Sequence, residues 1–184
     1  MDEEKIYNAF PKVLRNDVQI VISVLPLHKN MSLNYAGIDQ EILLDGERLS
    51  IPKRIYFDEP DAFEEDRLNE LQKTIRNCIY SRHHNGYIRQ KRLNSLPAKN
   101  HYFIVPYVFE LLGEYIIEII NDIDSYIDKT NIHLFRKFIS ENENYSALIK
   151  NKMTSYWNEY YRFGDNRNFK EYVGTRIFDR LEKS

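Results

Sequence analysis

The sequence predicts a mainly α fold, a helical bundle around a long apolar central helix with a small N-terminal β-hairpin element. After residue 62, apolar residues recur at three- and four-residue spacing, which is the period of an amphipathic helix. Asp45-Gly46 separates two β-rich runs, and this dipeptide is a strong signal for a two-residue hairpin turn. The segment 107–127 is apolar on nearly every turn, so we expect it to be the core helix.

Length and composition suit one globular domain, residues 1–184. We divide it into an N-terminal helix-and-hairpin part, residues 1–60, and a helical part, residues 61–184. A domain of this size buries about 70% of the surface that its unfolded chain exposes, so it needs no disulfide or metal to be stable. The single cysteine, Cys78, forms neither an internal disulfide nor a cysteine-based metal site, and its helical position indicates core packing rather than a nucleophile.

The compartment is predicted from what the sequence does not contain. No apolar run approaches the roughly 18 residues of a membrane span, and the acidic N-terminus has no apolar signal core. We therefore expect a soluble, cytoplasmic protein with no metal and no cofactor. The oligomeric state stays open.

The N-terminal elements are partly ambiguous. A short helix follows Asp2 and is limited by Pro11. Residues 18–27 alternate with period two, which favours a strand, but they could also continue the first helix and stop before Pro26. Residues 28–37 are polar and contain a glycine, which is typical of a loop.

The hairpin is predicted to join residues 38–44 to residues 47–57. Its turn requires positive φ at both central positions, which Asp-Gly provides. Pro52 has no N–H group to donate to a strand ladder. The second arm should therefore lie at a sheet edge or be interrupted at that proline.

The remaining elements are predicted to be helices. Their expected ranges are 64–82, 87–96, 107–127, 132–138, 145–162 and 169–181. In the central helix, four acidic residues at four-residue intervals form one ridge: Glu110, Glu114, Glu118 and Asp122. Glu114 lies beside Gly113 and between large apolar residues, so we expect this carboxylate to be buried and paired.

Charge is distributed in an acid–base–acid pattern. No acidic residue occurs between positions 72 and 109, a stretch with seven basic residues, whereas residues 58–70 and 110–128 are acidic. The basic segment 76–92 could bind an external anion, such as a nucleic acid or an acidic protein. Alternatively, the acidic neighbours fold back and neutralise it. We favour the second interpretation, because segments joined by short connections usually become neighbours in space.

One resemblance concerns the helix within the basic segment. Arg76-Asn77 followed by His83 loosely resembles the arginine–polar…histidine motif of the HEPN ribonucleases, over eight residues. The resemblance implies RNA cleavage without a metal. Imidazole suits a general base, and arginine suits an anionic transition state. The catalytic candidates are Arg76, Arg82 and His83.

Two functions follow from these patterns. No phosphate-binding loop, G-x-S-x-G, H-E-x-x-H or Cys/His zinc spacing occurs. We therefore expect a non-catalytic protein-binding or regulatory module, resembling the immunity proteins and antitoxins of bacterial cytoplasm. The alternative is an RNA-binding or RNA-cleaving protein.

The binding candidates include a C-terminal aromatic region as well as the basic segment. Tyr156, Trp157 and Tyr160 have the helical spacing of core positions. Tyr161, Arg162 and Phe163 lie near a loop and suit a contact surface. The full set of candidate binding residues is Arg82, His83, His84, Tyr87, Arg89, Arg92, Glu114, Tyr161 and Arg162.

Overall fold

The computed structural model describes residues 2–27, 35–97, 101–165 and 167–183. Its helices and one small hairpin confirm the mainly α fold. The chain forms two compact units, Met1–Pro97 and Ala98–Ser184. The hairpin therefore shares a unit with the helices that directly follow it. The organisation as one domain stays a prediction.

The first unit combines helices with two short antiparallel strand pairs. Its elements are α1 (Asp2–Asn8), a 3-10 turn (Lys12–Leu14), α2 (Arg15–Val24), β1 (Tyr35–Ala36), β2 (Gln40–Leu44), β3 (Glu47–Ile51), β4 (Arg54–Ile55), α3 (Ala62–Asp66), α4 (Glu70–Tyr80) and α5 (Gly86–Asn94). Most of the loop predicted over residues 28–37 lies outside the described residues.

The ambiguous segment 18–27 is helical up to Val24 and belongs to α2. Val18, Val21 and Ile22 are buried at i, i+3 and i+4, whereas Ile20 is exposed. This burial follows the helical period, because α2 packs against α4 along one face. The period-two alternation that favoured a strand was therefore misleading.

The predicted hairpin is confirmed, as is its interruption at Pro52. Strands β2 and β3 pair around Asp45 and Gly46, whose φ angles are 52° and 78°. After Pro52 the chain leaves this ladder, and β4 pairs with β1 instead. Because Pro52 has no N–H group to donate, the second arm of the hairpin is divided between two strand ladders.

The helix predicted over residues 64–82 is two helices, α3 and α4. The Asn69 side chain accepts a hydrogen bond from the Gln72 main-chain N–H at 2.9 Å, and the Gln72 side chain accepts from the Asn69 N–H at 3.1 Å. This capping box starts a new helix. The apolar periodicity continues across the break, so periodicity alone did not reveal it.

The second unit is helical throughout its described elements. These are a 3-10 turn (Tyr102–Ile104), α6 (Val105–Leu111), α7 (Ile117–Tyr126), α8 (Ile132–Glu141), α9 (Glu143–Tyr160) and α10 (Val173–Glu182). Phe109 packs edge-on against Phe138 and Phe178, with ring centroids 5.3 Å and 5.8 Å apart, at the centre of this unit.

The long central helix predicted over residues 107–127 is interrupted. Residues 112–116 separate α6 from α7, and Gly113 donates its N–H to the Glu110 carbonyl in a tight i→i−3 turn. Ile116 is extended, with φ −84° and ψ 108°. Glycine favours this break because it is a poor helix former. The single acidic ridge is therefore divided: Glu114 is buried in the link and Glu118 is exposed on α7.

A helix that crosses a membrane must be long and apolar. No helix within the described ranges meets that requirement.

The hairpin turn gives a test of backbone strain. We expect Gly46→Ala to lower the free energy of unfolding by about 1 kcal/mol, because its φ of 78° disfavours a side chain although no atom lies within 4 Å of the new Cβ. Gly164→Ala is the matched control, since that glycine has no positive φ and its new Cβ would make an ordinary contact with the Tyr161 carbonyl oxygen, at 3.9 Å. It should change stability by less than about 0.5 kcal/mol in urea unfolding. Equal effects would show that backbone strain at the turn is unimportant.

Candidate functional site

The basic segment is largely buried within the first unit. Arg76, Arg82, Arg89 and Arg92 are exposed by only 6%, 1%, 3% and 3%. A buried guanidinium keeps its charge and its five N–H donors, so the fold must supply acceptors. The partners of these four arginines therefore show what the segment does in the fold.

Arg82 binds the main chain at the point where Pro52 interrupts the hairpin. Its Nε donates to the Pro52 carbonyl at 3.3 Å, and its Nη2 donates to the Lys53 carbonyl at 2.8 Å. The chain near Arg82 is also joined to β4: Ile55 donates to the Arg82 carbonyl, and His84 donates to the Ile55 carbonyl, both at 3.0 Å. The end of α4 is thereby fixed to the interrupted strand.

Arg89 holds the turn between α4 and α5. Its Nη1 donates to the carbonyls of His83 and His84, at 2.8 Å each. Carbonyls just beyond a helix C-terminus have no intrahelical donor, and a cation satisfies both their hydrogen bonding and the helix dipole. Arg89 therefore acts as a cap supplied by the next helix.

Arg76 and Arg92 share the carboxylates of the acidic block before α4. Glu65 binds Arg76 Nη1 at 2.8 Å and Arg92 Nη2 at 2.5 Å. Arg92 also pairs with Glu59. The Asn77 Oδ1 accepts from Arg76 at 3.0 Å and from Arg92 at 3.4 Å. Two cations and two anions thus form a compact neutral group, which we call the arginine–glutamate network.

The electrostatics of Glu59 agree with this pairing. Burial alone would raise the pKa of its carboxyl, but the charge and hydrogen bonds of Arg92, with help from Lys91, hold the pKa below its ordinary value. The acidic block at residues 58–70 therefore folds back onto the basic segment, as the favoured interpretation of the charge pattern expects.

The acidic block at residues 110–128 was also expected to neutralise the basic segment, but the partners of Glu110 and Asp124 are cations of the second unit. Glu110 binds the Lys152 ammonium at 3.5 Å and accepts a hydrogen bond from the Tyr145 hydroxyl. Asp124 pairs with Arg180 at 2.7 Å. Glu114 is 4% exposed, which places this binding candidate inside the unit.

The two neighbouring histidines differ in environment. His83 is 3% exposed, and its Nδ1 accepts a hydrogen bond from the Asn85 N–H at 3.1 Å. Burial, together with the adjacent His84, lowers the pKa of His83. His84 is exposed and stacks on Tyr56, with ring centroids 4.8 Å apart. His83 is thus a neutral, hydrogen-bonded part of the turn at physiological pH.

The three catalytic candidates are all buried, and each contacts a different part of the first unit. Arg76 binds Glu65, Arg82 binds the carbonyls after β3, and His83 binds the turn before α5. Cys78 is fully buried, and burial raises the pKa of its thiol, in agreement with core packing.

The second unit exposes a group of aromatic rings, which we call the tyrosine cluster: Tyr115, Tyr156, Tyr160 and Tyr161. The Tyr115 ring lies 5.6 Å from Tyr160 and 5.9 Å from Tyr156, and Tyr160 lies 6.4 Å from Tyr161. The Tyr161 hydroxyl donates to the Tyr115 carbonyl. Two of the rings are substantially exposed, Tyr115 by 47% and Tyr160 by 58%.

Arg162 and Phe163 extend the cluster beyond α9. The Arg162 guanidinium lies 4.4 Å above the Phe163 ring and donates to the Asn158 side chain at 3.0 Å. Phe163 is 85% exposed. In the first unit, Tyr87 is equally exposed at the start of α5.

Sequence reasoning found only part of this surface. It identified Tyr161, Arg162 and Phe163 but assigned Tyr156 and Tyr160 to the core from their helical spacing. Tyr160 is instead exposed, and the rings that it contacts belong to the tyrosine cluster. Tyr115 was missed because its position depends on the break between α6 and α7.

Comparisons with known proteins add no functional information. No protein-family model matches this chain, and no curated protein or solved structure matches it either. The resemblance to the HEPN ribonucleases therefore rests on Arg76, Asn77 and His83 alone. In the described ranges, no three His, Cys, Asp or Glu residues are grouped so that they could hold a metal ion.

The arginine–glutamate network predicts that neutralising Glu65 destabilises the protein more than neutralising the adjacent Glu64. Glu65→Gln should lower the free energy of unfolding by about 3 kcal/mol, because it leaves Arg76 and Arg92 buried with too little negative charge. Glu64→Gln is the control. Within the described ranges, Glu64 pairs only with the exposed Arg67, at 2.9 Å. Its substitution should therefore cost less than about 1 kcal/mol in the same urea titration. Similar losses in both variants would contradict a special role for the network.

The lowered pKa of His83 predicts a loss of stability in mild acid. Below the ordinary histidine pKa of 6.5, the unfolded chain binds a proton at this site more readily than the folded chain. The free energy of unfolding should therefore fall as pH decreases below 6.5, by up to about 1.4 kcal/mol per pH unit. Urea titrations at several pH values measure this slope.

Two variants assign the slope to its residue. His83→Gln should flatten the dependence, whereas His84→Gln should retain most of it, because burial of His83 is the larger cause of its pKa shift. If both variants keep the full slope, the titration belongs to other groups.

Proposed function

We propose that this protein is a non-catalytic protein-binding module of the cytoplasm that contacts its partner through the tyrosine cluster, Arg162 and Phe163. The observation that carries the proposal is the exposure of Tyr115 and Tyr160 within one set of ring contacts, together with the exposure of Phe163 just after it in the chain. A regulatory or toxin-neutralising role fits a module of this kind.

Residue chemistry favours a protein partner. Tyrosine and arginine are enriched among the residues that dominate the energy of protein interfaces. Each tyrosine offers a rigid apolar ring and a hydroxyl, so it can cover an apolar side chain and still satisfy a polar group at the rim. We expect the partner to present apolar side chains flanked by hydrogen-bond acceptors.

The arrangement of the rings also limits the entropy lost on binding. Tyr160 is held between Tyr115, Tyr156 and Tyr161, and the Tyr161 hydroxyl is fixed to the Tyr115 carbonyl. Side chains that are already ordered lose less freedom when a partner arrives. The cluster is therefore better prepared for binding than an isolated exposed ring such as Tyr87.

The RNA alternative has less support. Its cations were Arg76, Arg82 and Arg89, and their guanidinium groups are buried against oxygens of the first unit. Backbone recognition needs cations that can reach phosphates. Aromatic rings beside Arg162 could still stack on bases, so the test below includes RNA as an outcome.

Photo-crosslinking tests the proposed surface. A photoreactive phenylalanine analogue is introduced at Phe163 in one variant and at the equally exposed Tyr87 in another. Both are irradiated in lysate of the native host, with and without nuclease. We expect a protein adduct that is specific to position 163 and unaffected by nuclease.

Affinity measurements with the purified partner complete the test. Tyr160→Ala should weaken binding by about 30-fold, the effect of losing a residue worth about 2 kcal/mol, whereas Tyr87→Ala should change it less than about twofold. Circular dichroism checks that both variants fold. Adducts of RNA at position 163, or equal effects of the two substitutions, would overturn the proposal.

A further inference from the structure

A small cleft lies in the first unit, where the end of α1, the 3-10 turn and the start of α2 meet β3. Its volume is about 60 Å³. Phe10, Val18 and Leu49 are buried among its lining residues and provide an apolar floor. The cleft is part of the packed interface between the N-terminal helices and the hairpin, so its shape is fixed by the core beneath it.

Three residues that carry a cationic group are among those that line this cleft: Lys12, Arg15 and Arg48. They come from the 3-10 turn, α2 and β3, and all three residues are exposed. Glu47 is the acidic member of the lining. Three positive groups and one negative group leave a formal local charge of +2, opposite in sign to the −2 of the whole chain.

The carboxylate of Glu47 binds a main-chain N–H group. Its carboxylate accepts a hydrogen bond from the Lys12 main-chain N–H, at 3.1 Å and 3.3 Å to its two oxygens. This contact fastens the 3-10 turn to β3. In the part of the chain that the structure describes, the Lys12 ammonium and the Arg48 guanidinium form no ion pair.

Arg15 is held in place by an aromatic ring. Its guanidinium lies 4.5 Å above the centroid of Tyr7, which also lines the cleft. Stacking occupies the face of the guanidinium and leaves the N–H donors at its edge available. This arrangement differs from that of the buried arginines of the same unit, whose donors bind oxygens within the fold.

We propose that the cleft binds a phosphate group, either as inorganic phosphate or as the terminal phosphate of a small metabolite. A phosphate dianion matches the local charge, and charge-assisted hydrogen bonds from arginine and lysine are the usual means of binding it. The volume suits a group of this size, since one water molecule needs about 10–15 Å³ measured in the same way and phosphate has four oxygens. The site is independent of the tyrosine cluster.

Nuclear magnetic resonance of the full chain tests the site, with inorganic phosphate as the probe and sodium chloride added to keep the ionic strength constant. We expect saturable shifts of the Lys12, Arg15 and Arg48 amide signals, with a dissociation constant on the order of 1 mM. The double variant Arg15→Gln/Arg48→Gln should weaken binding at least about tenfold, since it removes two of the three cations.

The matched control is Arg162→Gln. Arg162 is also exposed and also stacks on an aromatic ring, at 4.4 Å, but it lies in the second unit. This variant should bind phosphate as the original protein does. Shifts that do not saturate, or an equal loss in the control and the double variant, would show only general attraction of phosphate to surface cations and would overturn the proposal.

A second titration separates the two sources of the phosphate group. Glycerol 3-phosphate presents the same dianion on a small organic body. Tighter binding than inorganic phosphate, with added shifts at Tyr7 or Asn8, would assign the site to a metabolite. Equal binding by the two probes would assign it to the phosphate group alone. Binding of neither probe would overturn the proposal.

Discussion

A buried guanidinium group must find oxygen acceptors for its donors and its charge, and residues 52–92 supply such acceptors to four buried arginines. Arg82 uses the carbonyls exposed where Pro52 interrupts a strand, and Arg89 uses those beyond the end of α4. Arg76 and Arg92 use the carboxylates before α4. Together these contacts join the hairpin, the acidic block and two helices. The arginines of the basic segment therefore stabilise the turns of the first unit.

The surface chemistry of the protein follows from this internal use of charge. Four arginines of the first unit are buried, so the exposed groups that could contact a partner lie elsewhere. In the second unit these are aromatic, with Tyr160 and Phe163 the most exposed of the cluster. In the first unit they are the cations around one cleft, where the acidic neighbour is bound to a main-chain N–H. The proposed macromolecular surface and the proposed small-ligand site thus differ in their chemistry.

Local features of the fold could be predicted from the sequence, whereas features that depend on distant residues could not. Asp45-Gly46 and Pro52 specify their turn and interruption through their own backbone chemistry. The break at Gly113 was hidden, because one glycine in a strongly apolar segment does not reveal whether the helix continues. Charge pattern predicted that the basic segment is paired internally. It did not predict the strand carbonyls that bind Arg82, which lie 29 and 30 residues earlier. Periodicity placed Tyr160 on an apolar face without showing what covers that face.

The order of donors and acceptors along the chain has a consequence for biosynthesis. The oxygens described as acceptors for Arg82, Arg89 and Arg92 all precede them in the sequence, and each compact unit is formed from one continuous stretch of chain. A ribosome therefore delivers the hairpin and the acidic block first, and the arginines that close the unit follow. Since domains fold as units during synthesis, N-terminal parts first, the first unit can close once the residues up to Pro97 have emerged, while the second is still being translated.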